Sequence, residues 1–401
     1  MSKPLSLALV GLGGYGNGYV SALLDHWDRG DVRLIAGVDP MPTTCARLAE
    51  VQARQVPIYP SLDAFFKDAT ADLVLICSPI QYHASQTCLA LNHGVNVLCE
   101  KPLCATLDDA GEMLSARDRA GKLVAIGYQW SYSKAIGELK ADILAGKLAR
   151  PRRLKCIALW PRDESYYTRN GWAGAKQDAQ GRWVLDSPVN NACAHQLHNM
   201  LYVLGPQTDR SAKPARLTAE LYRANNIGNY DTAAIRCFTS DGVELMFITS
   251  HATAHSHGPV FEYEFDNATM RFHDGPAAPI VAKFKNGGER NYGTPMEPRD
   301  HKLSLTLTHV REGMPTPCGI EAAVSHTQCV WAAQQSVAEI TPFPRERVRV
   351  TGEPGHRKTT VEGLSETLTR CYDEWKLPSE IGAGWGRPGR EVHIDGMLIN
   401  K

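Results

Sequence analysis

The sequence has no excess of charge of either sign, because 43 Lys and Arg side chains balance 43 Asp and Glu side chains. Nucleic acids and anionic membrane surfaces attract basic proteins, so this balance argues against both as partners. No apolar run approaches the roughly 18 residues of a membrane-spanning helix, and the N-terminal apolar segment lacks the anatomy of a signal peptide. We therefore expect a cytoplasmic protein with no membrane contact.

The sequence also lacks paired cysteine motifs. Its eleven cysteines are an odd number, and none forms a C-x-x-C pair. Several lie in apolar, strand-like runs, which favours buried reduced thiols over a disulfide framework. Cys193, His195 and His198 lie within six residues, and the two histidines form a His-x-x-His pair. No third ligand accompanies this pair at the spacing of a zinc motif, and we expect no bound metal.

A glycine-rich turn follows the first apolar segment directly. Residues 5–10 form a predicted strand, and residues 11–16 follow as a Gly-x-Gly-x-x-Gly sequence. Gly11 allows the tight turn, Gly13 lets the backbone approach phosphates, and Gly16 lets a helix lie close to the strand. The helix N-terminus then offers free N–H donors and partial positive charge, so the pattern predicts a dinucleotide site.

The end of the second predicted strand indicates which dinucleotide binds. This strand, residues 33–38, ends in Asp39, somewhat further from Gly11 than the usual spacing of about 20 residues. A carboxylate there accepts hydrogen bonds from ribose hydroxyls and repels a 2′-phosphate. No arginine follows directly, so we expect NAD rather than NADP.

The remaining pattern predicts an α/β protein with two domains. Strands and helices alternate through residue 127, which predicts an N-terminal Rossmann domain with a doubly wound parallel sheet over residues 1–128. Residues 129–401 contain many β-branched and aromatic segments with helices later in the chain. They predict a C-terminal α+β domain with a large, mostly antiparallel sheet, for substrate binding and oligomerisation.

Four stretches resemble the glucose–fructose oxidoreductase / inositol dehydrogenase / MocA (Gfo/Idh/MocA) family: residues 10–16, residues 72–79 with His83, residues 96–103 and residues 194–205. The third contains the Glu-Lys-Pro signature of that family at Glu100, Lys101 and Pro102. The resemblance implies an NAD-dependent oxidoreductase acting on a secondary hydroxyl of a sugar, sugar derivative or cyclitol. It also implies a homodimer or homotetramer.

The resemblance further implies which residues contact the cofactor. They are Gly11, Leu12, Gly13, Gly14, Tyr15, Asp39, Ser78, Pro79, His83, Glu100, Lys101 and Gln129. For His83, capping of nearby backbone is an equally good interpretation.

Oxidation of an alcohol sends a hydride to the nicotinamide and requires a group that accepts the hydroxyl proton. His195 is the candidate base, and Lys101 would stabilise negative charge that develops on the same oxygen. The family usually places an Asp four residues before the histidine and another three residues after it, whereas this sequence has Asn191 and His198. The identity of the base therefore stays open.

Substrate specificity is expected in the polar and aromatic stretch from Trp160 to Trp172 and in Asn190 and Asn191. Arg162 and Arg169 could each bind an anionic group, and Tyr166, Tyr167 and Trp172 could stack on sugar faces. The full set of expected substrate contacts is Lys101, Arg162, Tyr167, Trp172, Asn191, His195 and His198.

Two alternatives to a simple dehydrogenase remain. One is an NAD-dependent glycoside hydrolase that oxidises the sugar transiently, eliminates a substituent and reduces the ketone again. The other is a non-catalytic, NAD-binding regulatory protein, which would need neither Lys101 nor His195.

Overall fold

The computed structural model describes residues 3–275 and 277–394. These residues form two compact units. The first unit contains residues 3–132 and 297–323, and the second contains residues 133–296 and 324–394, apart from the undescribed position 276. The domain boundary at residue 128 stays a prediction from the sequence.

The α-helices follow one another in this order: α1 (Gly16–Asp28), α2 (Leu48–Ala53), α3 (Leu62–Asp68), α4 (His83–Asn92), α5 (Leu107–Ala120), α6 (Lys134–Leu144), α7 (Glu164–Thr168), α8 (Ala194–Val203), α9 (His301–Glu312), α10 (Ile320–Ser336) and α11 (Leu364–Glu374). Short 3-10 helices lie at Pro42–Thr44, Ile80–Tyr82, Gln129–Tyr132 and Arg345–Arg347, and a π-helix lies at Pro188–Ala192. Within the described residues, none of these helices has both the length and the apolar character needed to cross a membrane.

The strands are β1 (Leu5–Val10), β2 (Val32–Val38), β3 (Ile58–Tyr59), β4 (Leu73–Ile76), β5 (Asn96–Cys99), β6 (Val124–Ile126), β7 (Pro151–Leu159), β8 (Pro214–Arg223), β9 (Thr232–Thr239), β10 (Glu244–Ser250), β11 (His257–Phe265), β12 (Ala268–Phe272), β13 (Ile280–Phe284), β14 (Glu289–Gly293), β15 (Thr341–Pro342), β16 (Val348–Thr351), β17 (Lys358–Val361) and β18 (Val392–His393).

The first unit is built on a six-stranded sheet in the order β3-β2-β1-β4-β5-β6. All of its strand pairs are parallel, which confirms the predicted doubly wound sheet. The central strands are apolar on both faces because helices cover both sides of such a sheet. Leu7, Leu9 and Leu75 pack in one core with Val20 and Leu23 of α1.

The register of this sheet brings the strand ends into one row. Val10 pairs with Val38 on one side and Ile76 on the other, and Cys99 pairs with Ile76 and Ile126. The residues that follow these positions therefore leave the sheet at one edge. The chain order reverses between β1 and β4, and in sheets of this kind ligands bind at the carboxyl edge beside such a reversal.

A late segment of the chain, residues 297–323, completes the first unit. Leu303 and Leu307 of α9 belong to the same core as β1 and α1. The guanidinium of Arg117 on α5 binds the Glu321 carboxylate through two nitrogens, at 3.1 and 2.6 Å. Two distant parts of the sequence thus form one folded body.

The second unit contains the large mixed sheet β14-β13-β12-β11-β7-β10-β9-β8-β15, with β18 beside β8. Its pairs are antiparallel except for β7 with β10 and β8 with β15, which confirms the predicted, mostly antiparallel sheet. Leu364 and Leu368 of α11 pack on Ile157 and Ile248 of the central strands.

The parallel pair β7–β10 positions two loops at one sheet edge. Leu159 pairs with Ser250 in this register, so the segments that begin at Trp160 and His251 leave the sheet together. The Trp160 N–H donates to the Ser250 carbonyl at 2.8 Å, and the Arg162 N–H donates to the His251 carbonyl at 3.1 Å. These bonds extend the pairing beyond the strands and fix the start of the polar and aromatic stretch.

Two glycines of α1 offer a matched test of how this helix approaches the sheet. A Cβ at Gly16 would lie 2.0 Å from the Gly11 carbonyl oxygen, whereas a Cβ at Gly18 meets no atom within 4 Å. We expect Gly16→Ala to lower the free energy of unfolding by about 1–3 kcal/mol through overpacking. Gly18→Ala should raise it by about 0.5–1 kcal/mol, because alanine is the better helix former. Urea unfolding measures both, and equal effects of the two substitutions would contradict this account of the helix position.

Candidate active site

The glycine-rich turn of the first unit packs against protein atoms at Gly11 and Gly13 and is open at Gly14. Gly11 has a positive φ of 83°, and a Cβ there would lie 2.8 Å from the Cys77 carbonyl oxygen. A Cβ at Gly13 would collide with the Thr44 side chain at 2.0 Å, whereas one at Gly14 has no described atom within 4 Å. Among the described residues, α1 begins without a side-chain cap. The turn therefore fits a pyrophosphate, since the backbone N–H groups of Gly13, Gly14 and Tyr15 have no acceptor among the described residues.

Asp39 stands beside this turn at the end of β2. Its carboxylate accepts the Leu12 N–H at 2.9 Å through one oxygen and the Met41 N–H at 2.8 Å through the other. Each carboxylate oxygen keeps a further lone pair, so the group can also accept ribose hydroxyls. The position agrees with the expected preference for NAD.

Ser78, Pro79 and His83 follow β4, as the sequence suggested. The His83 ring is buried, and its nitrogens lie 2.8 Å from the Pro102 carbonyl oxygen and 3.0 Å from the Ser78 carbonyl oxygen. Both ring nitrogens are thus engaged with the backbone of the two segments that border the sheet edge. This arrangement supports the capping interpretation of His83, and its predicted cofactor contact gains no support.

Glu100, directly after β5, is held by a buried cation that the sequence analysis did not identify. Lys302 of α9 forms an ion pair and hydrogen bond with the Glu100 carboxylate, and Tyr19 donates its hydroxyl to it at 2.7 Å. Glu100 is 7% exposed and Lys302 is 4% exposed. Burial alone would raise the pKa of Glu100, but the charge and hydrogen bond of Lys302 outweigh it and lower that pKa. The carboxylate is therefore a fixed negative charge at the sheet edge.

Lys101 follows Glu100 directly in the chain and contacts its carboxylate. Its backbone N–H donates to Glu100 Oε2 at 3.1 Å, and its peptide bond to Pro102 is cis. Gln129 is exposed at the start of the 3-10 helix that follows β6, and Tyr15 is exposed in the glycine-rich turn. The structure thus places the expected cofactor residues of the first unit at the ends of its parallel strands.

In the second unit, arginine and aromatic side chains gather around Tyr166. The Arg162 and Arg169 guanidinium carbons lie 5.0 and 3.7 Å from the centre of the Tyr166 ring. Arg169 is also 5.3 Å from the Trp172 ring. The Tyr167 hydroxyl lies 3.3 Å from Nδ1 of His251. The structure therefore brings together the expected substrate residues of this stretch and adds His251 to them.

Asn191 joins this cluster through a carboxylate. Its amide donates to Asp186 Oδ1 at 2.8 Å, and the Gly174 N–H donates to Asp186 Oδ2 at 2.6 Å. Arg169 lies 3.7 Å from the same Oδ2 atom. Asn191 belongs to the π-helix, a rare form that is frequent at functional sites. Asp186 thus places a negative charge one hydrogen bond away from Asn191.

The two histidines of α8 have different surroundings. His195 is partly buried in the first turn, whereas His198 is 1% exposed and stacks on Tyr202. Burial, with the positive charges of His326 and Lys140, lowers the pKa of His198 well below its usual value. The structure assigns His198 to the interior of the second unit, so its predicted contact with a substrate is not supported.

Within the described part of the chain, no group of three or more His, Cys, Asp and Glu side chains could hold a metal ion.

Comparison with known proteins agrees with this geometry. Residues 5–128 match the family described as "Oxidoreductase family, NAD-binding Rossmann fold". D-glucoside 3-dehydrogenase of Escherichia coli is 27% identical over 208 residues, 51% of this chain and 55% of that protein. The 1,5-anhydro-D-fructose reductase of Ensifer adhaerens is 29% identical over 179 residues, 43% of this chain and 52% of that protein. The chain thus spans about half the length of these two curated relatives.

Solved structures share the fold over most of the chain. An oxidoreductase from Agrobacterium radiobacter, in complex with NAD+, L-tartaric acid and magnesium, superposes with a TM-score of 0.68 at 20% identity. The superposition covers 84% of this chain and 97% of that one. The first unit thus contains an NAD-binding Rossmann domain. Residues 5–128 are thus similar to the NAD-binding domain of the Gfo/Idh/MocA oxidoreductase family.

Two residues of the candidate sites were missed from the sequence. Lys302 lies at the start of a helix more than 200 residues after Glu100, and no motif marks it. His251 lies in a histidine-rich stretch with His255 and His257, which matches no motif. Its position directly after a strand was the available signal, because strand ends often carry functional side chains.

The buried pair Glu100–Lys302 leads to a test of stability. Lys302→Met leaves the Glu100 carboxylate buried without its cation, which should lower the free energy of unfolding by about 3–5 kcal/mol near neutral pH. Without Lys302, the pKa of folded Glu100 rises above its unfolded value, so stability should fall as pH rises from 5 to 8. Urea unfolding across this pH range measures the effect.

The double variant Glu100→Gln/Lys302→Met is the control, because it removes both charges. It should recover part of the lost stability and lose the added pH dependence. If the single variant shows no greater dependence on pH than the double variant, the buried pair does not act as described.

Asp39 leads to a test of cofactor preference. Asp39→Asn keeps one acceptor oxygen but removes the negative charge, so it should weaken NAD binding and relieve the repulsion of a 2′-phosphate. We expect the NAD to NADP affinity ratio to fall roughly 10-fold or more, the worth of a charged hydrogen bond. Fluorescence titration with both nucleotides measures the ratio, and Asp25→Asn on the exposed face of α1 is the control. An unchanged ratio would refute the ribose assignment.

Proposed function

We propose that this protein is an NAD-dependent oxidoreductase that transfers a hydride between the nicotinamide and a secondary hydroxyl of a sugar, sugar derivative or cyclitol. The observation that carries the proposal is the single row formed by the glycine-rich turn, Asp39 and the Glu100-Lys101-Pro102 segment at the carboxyl edge of the parallel sheet. When bound, NAD supplies the hydride acceptor. The chain's own residues must then bind the alcohol and move its proton.

Lys101 has the chemistry to stabilise the reacting oxygen. Its ammonium can donate a hydrogen bond to an oxygen that gains negative charge as the hydride leaves. Its backbone is fixed by Glu100, which is itself held by Lys302 and Tyr19. A donor on such a fixed segment needs little reorganisation during the reaction, which favours catalysis.

We propose His195 as the group that accepts the hydroxyl proton. The family usually has an Asp four residues before this histidine, and Asn191 stands there. Asn191 is hydrogen-bonded to Asp186 at 2.8 Å, so a carboxylate is retained one step further away. In this proposal Asn191 orients a substrate hydroxyl or His195, and Asp186 supplies the negative charge.

The substrate class rests on the relatives and on the aromatic cluster. The two curated relatives are named for a glucoside and an anhydrofructose. Tyr167 and Trp172 offer the aromatic faces that commonly stack on sugars, and Arg162 and Asn191 offer hydrogen-bond donors. A small polyhydroxylated molecule fits this combination better than an apolar one.

Lys101→Ala tests the catalytic proposal. We expect kcat to fall roughly 100- to 1000-fold, as for loss of one donor to a developing oxyanion, while the Kd for NAD changes little. NADH absorbance with a panel of sugars and cyclitols measures turnover, and fluorescence titration measures NAD binding. Lys67→Ala, at an exposed position at the end of α3, is the control.

Three results would redirect the proposal. Equal losses in turnover and NAD affinity would contradict a catalytic role for Lys101. Release of an aglycone from glycosides without net NADH would indicate the redox-neutral hydrolase. Tight NAD binding without reaction on any polyol would indicate the regulatory protein.

A further inference from the structure

The cluster around Tyr166 in the second unit collects donors and positive charge. Arg162 and Arg169 both lie against the Tyr166 ring. The Arg169 guanidinium donates a hydrogen bond to the Tyr166 carbonyl oxygen, and the Arg162 guanidinium donates one to the Pro161 carbonyl oxygen at 3.4 Å. Neither bond neutralises a charge, because a carbonyl oxygen is only a dipole.

The carboxylates near this cluster are already occupied. Asp186, 3.7 Å from Arg169, accepts the Gly174 N–H and the Asn191 amide. Asp231 also acts on Tyr167 through its charge. Its Oδ2 atom accepts the Ala224 and Asn225 N–H groups, and its Oδ1 atom accepts the Thr232 hydroxyl. Among the described residues, Arg169 thus has Asp186 within ion-pair distance, whereas Arg162 has no carboxylate within that distance.

Two buried nitrogen atoms of the cluster have no protein partner among the described residues. They are Nε of Arg162 and Nε2 of His251. His251 is 1% exposed, and its ring lies edge-on to Tyr166 at 5.4 Å. A buried donor without an acceptor costs about 1–3 kcal/mol, so such atoms mark a place that a ligand or water completes.

The hydrogen bond between Tyr167 and Nδ1 of His251 is compatible with two tautomers of the histidine ring. Burial raises the pKa of Tyr167 well above its usual value, so its hydroxyl stays protonated and can either donate to Nδ1 or accept from it. Burial, followed by the charges of Arg162 and Arg169, lowers the pKa of His251 well below its usual value, so the ring is neutral. In the tautomer in which Tyr167 donates to Nδ1, the proton of the neutral ring lies on Nε2, which is then a donor.

We propose that Arg162, Arg169 and Nε2 of His251 form a subsite for an anionic substituent, a carboxylate or phosphate, on the sugar. The sugar part of this ligand rests on the proposed function, whereas the anion contacts follow from the second unit alone. An anion is the ligand that supplies only acceptors to these donors and also pairs with the charge of Arg162, which has no carboxylate partner among the described residues. The favoured substrates are therefore acidic sugars.

Binding of matched sugars to the full chain tests the subsite. D-glucuronate and D-glucuronamide have nearly the same shape and differ in charge, and D-glucose 6-phosphate with D-glucose tests a phosphate. Calorimetric titration with saturating NAD should show that at least one acidic sugar binds roughly 10- to 100-fold more tightly than its neutral counterpart. The larger of the two preferences identifies the anion as carboxylate or phosphate.

Arg162→Gln should remove most of this preference, because it should weaken the binding of acidic sugars by a much larger factor than that of neutral sugars. Arg349→Gln, at an exposed arginine of the same unit, should keep it. The thermal unfolding midpoint of each variant without sugar shows that the fold is intact. A second variant, His251→Phe, should reduce the preference by a smaller factor, because it removes one neutral donor.

The proposed subsite is contradicted if neither acidic sugar binds at millimolar concentration. It is also contradicted if neither acidic sugar binds more tightly than its neutral counterpart. It is also overturned if Arg162→Gln weakens acidic and neutral sugars equally. NADH formation separates the two proposals. Charge-dependent binding without NADH from any sugar contradicts the proposed function alone, whereas NADH from neutral sugars without preference for acids contradicts the subsite alone.

Discussion

The ion pair between Glu100 and Lys302 is the interaction on which the candidate cofactor site depends. A buried carboxylate without a partner would be strongly unfavourable, so the position of Glu100 requires the cation that α9 brings to it. The carboxylate in turn lies so close to Gly127 that a Cβ there would approach it to 2.7 Å. It also accepts the Tyr19 hydroxyl and the Lys101 N–H. One charge pair thus connects β5, β6, α1 and a helix from late in the chain.

In the second unit, the parallel strand pair β7–β10 positions the expected substrate residues of two loops. Because β7 and β10 run in the same direction, the loops after Leu159 and Ser250 leave at one edge. The first loop carries the arginine and tyrosine side chains, and the second carries His251. In an antiparallel pair the two loops would lie at opposite ends of the strands, and the cluster around Tyr166 would not form.

The sequence analysis was most successful where chemistry is local. The glycine-rich turn, Asp39 and the Glu-Lys-Pro segment are short patterns next to predicted strands. Both predicted sheets were confirmed, and residues 5–128 match the NAD-binding Rossmann family. His198 keeps its substrate contact only as a prediction. The sequence places it three residues from His195, but the interior around Tyr202 and His326 buries it. The spacing of two residues on a helix specifies the angle between their side chains around the helix axis. The packing of the helix decides which of the two side chains faces the interior.

The sequence by itself determined the fold class, the NAD-binding turn and the row of strand-end residues, because parallel strands and glycine turns depend on neighbouring residues along the chain. Only the tertiary structure decided the partner of Glu100, the engagement of both His83 nitrogens and the meeting of Arg162 with His251. Each of these contacts joins segments that the sequence separates. Their geometry follows from sheet register and helix packing, and local patterns do not encode it.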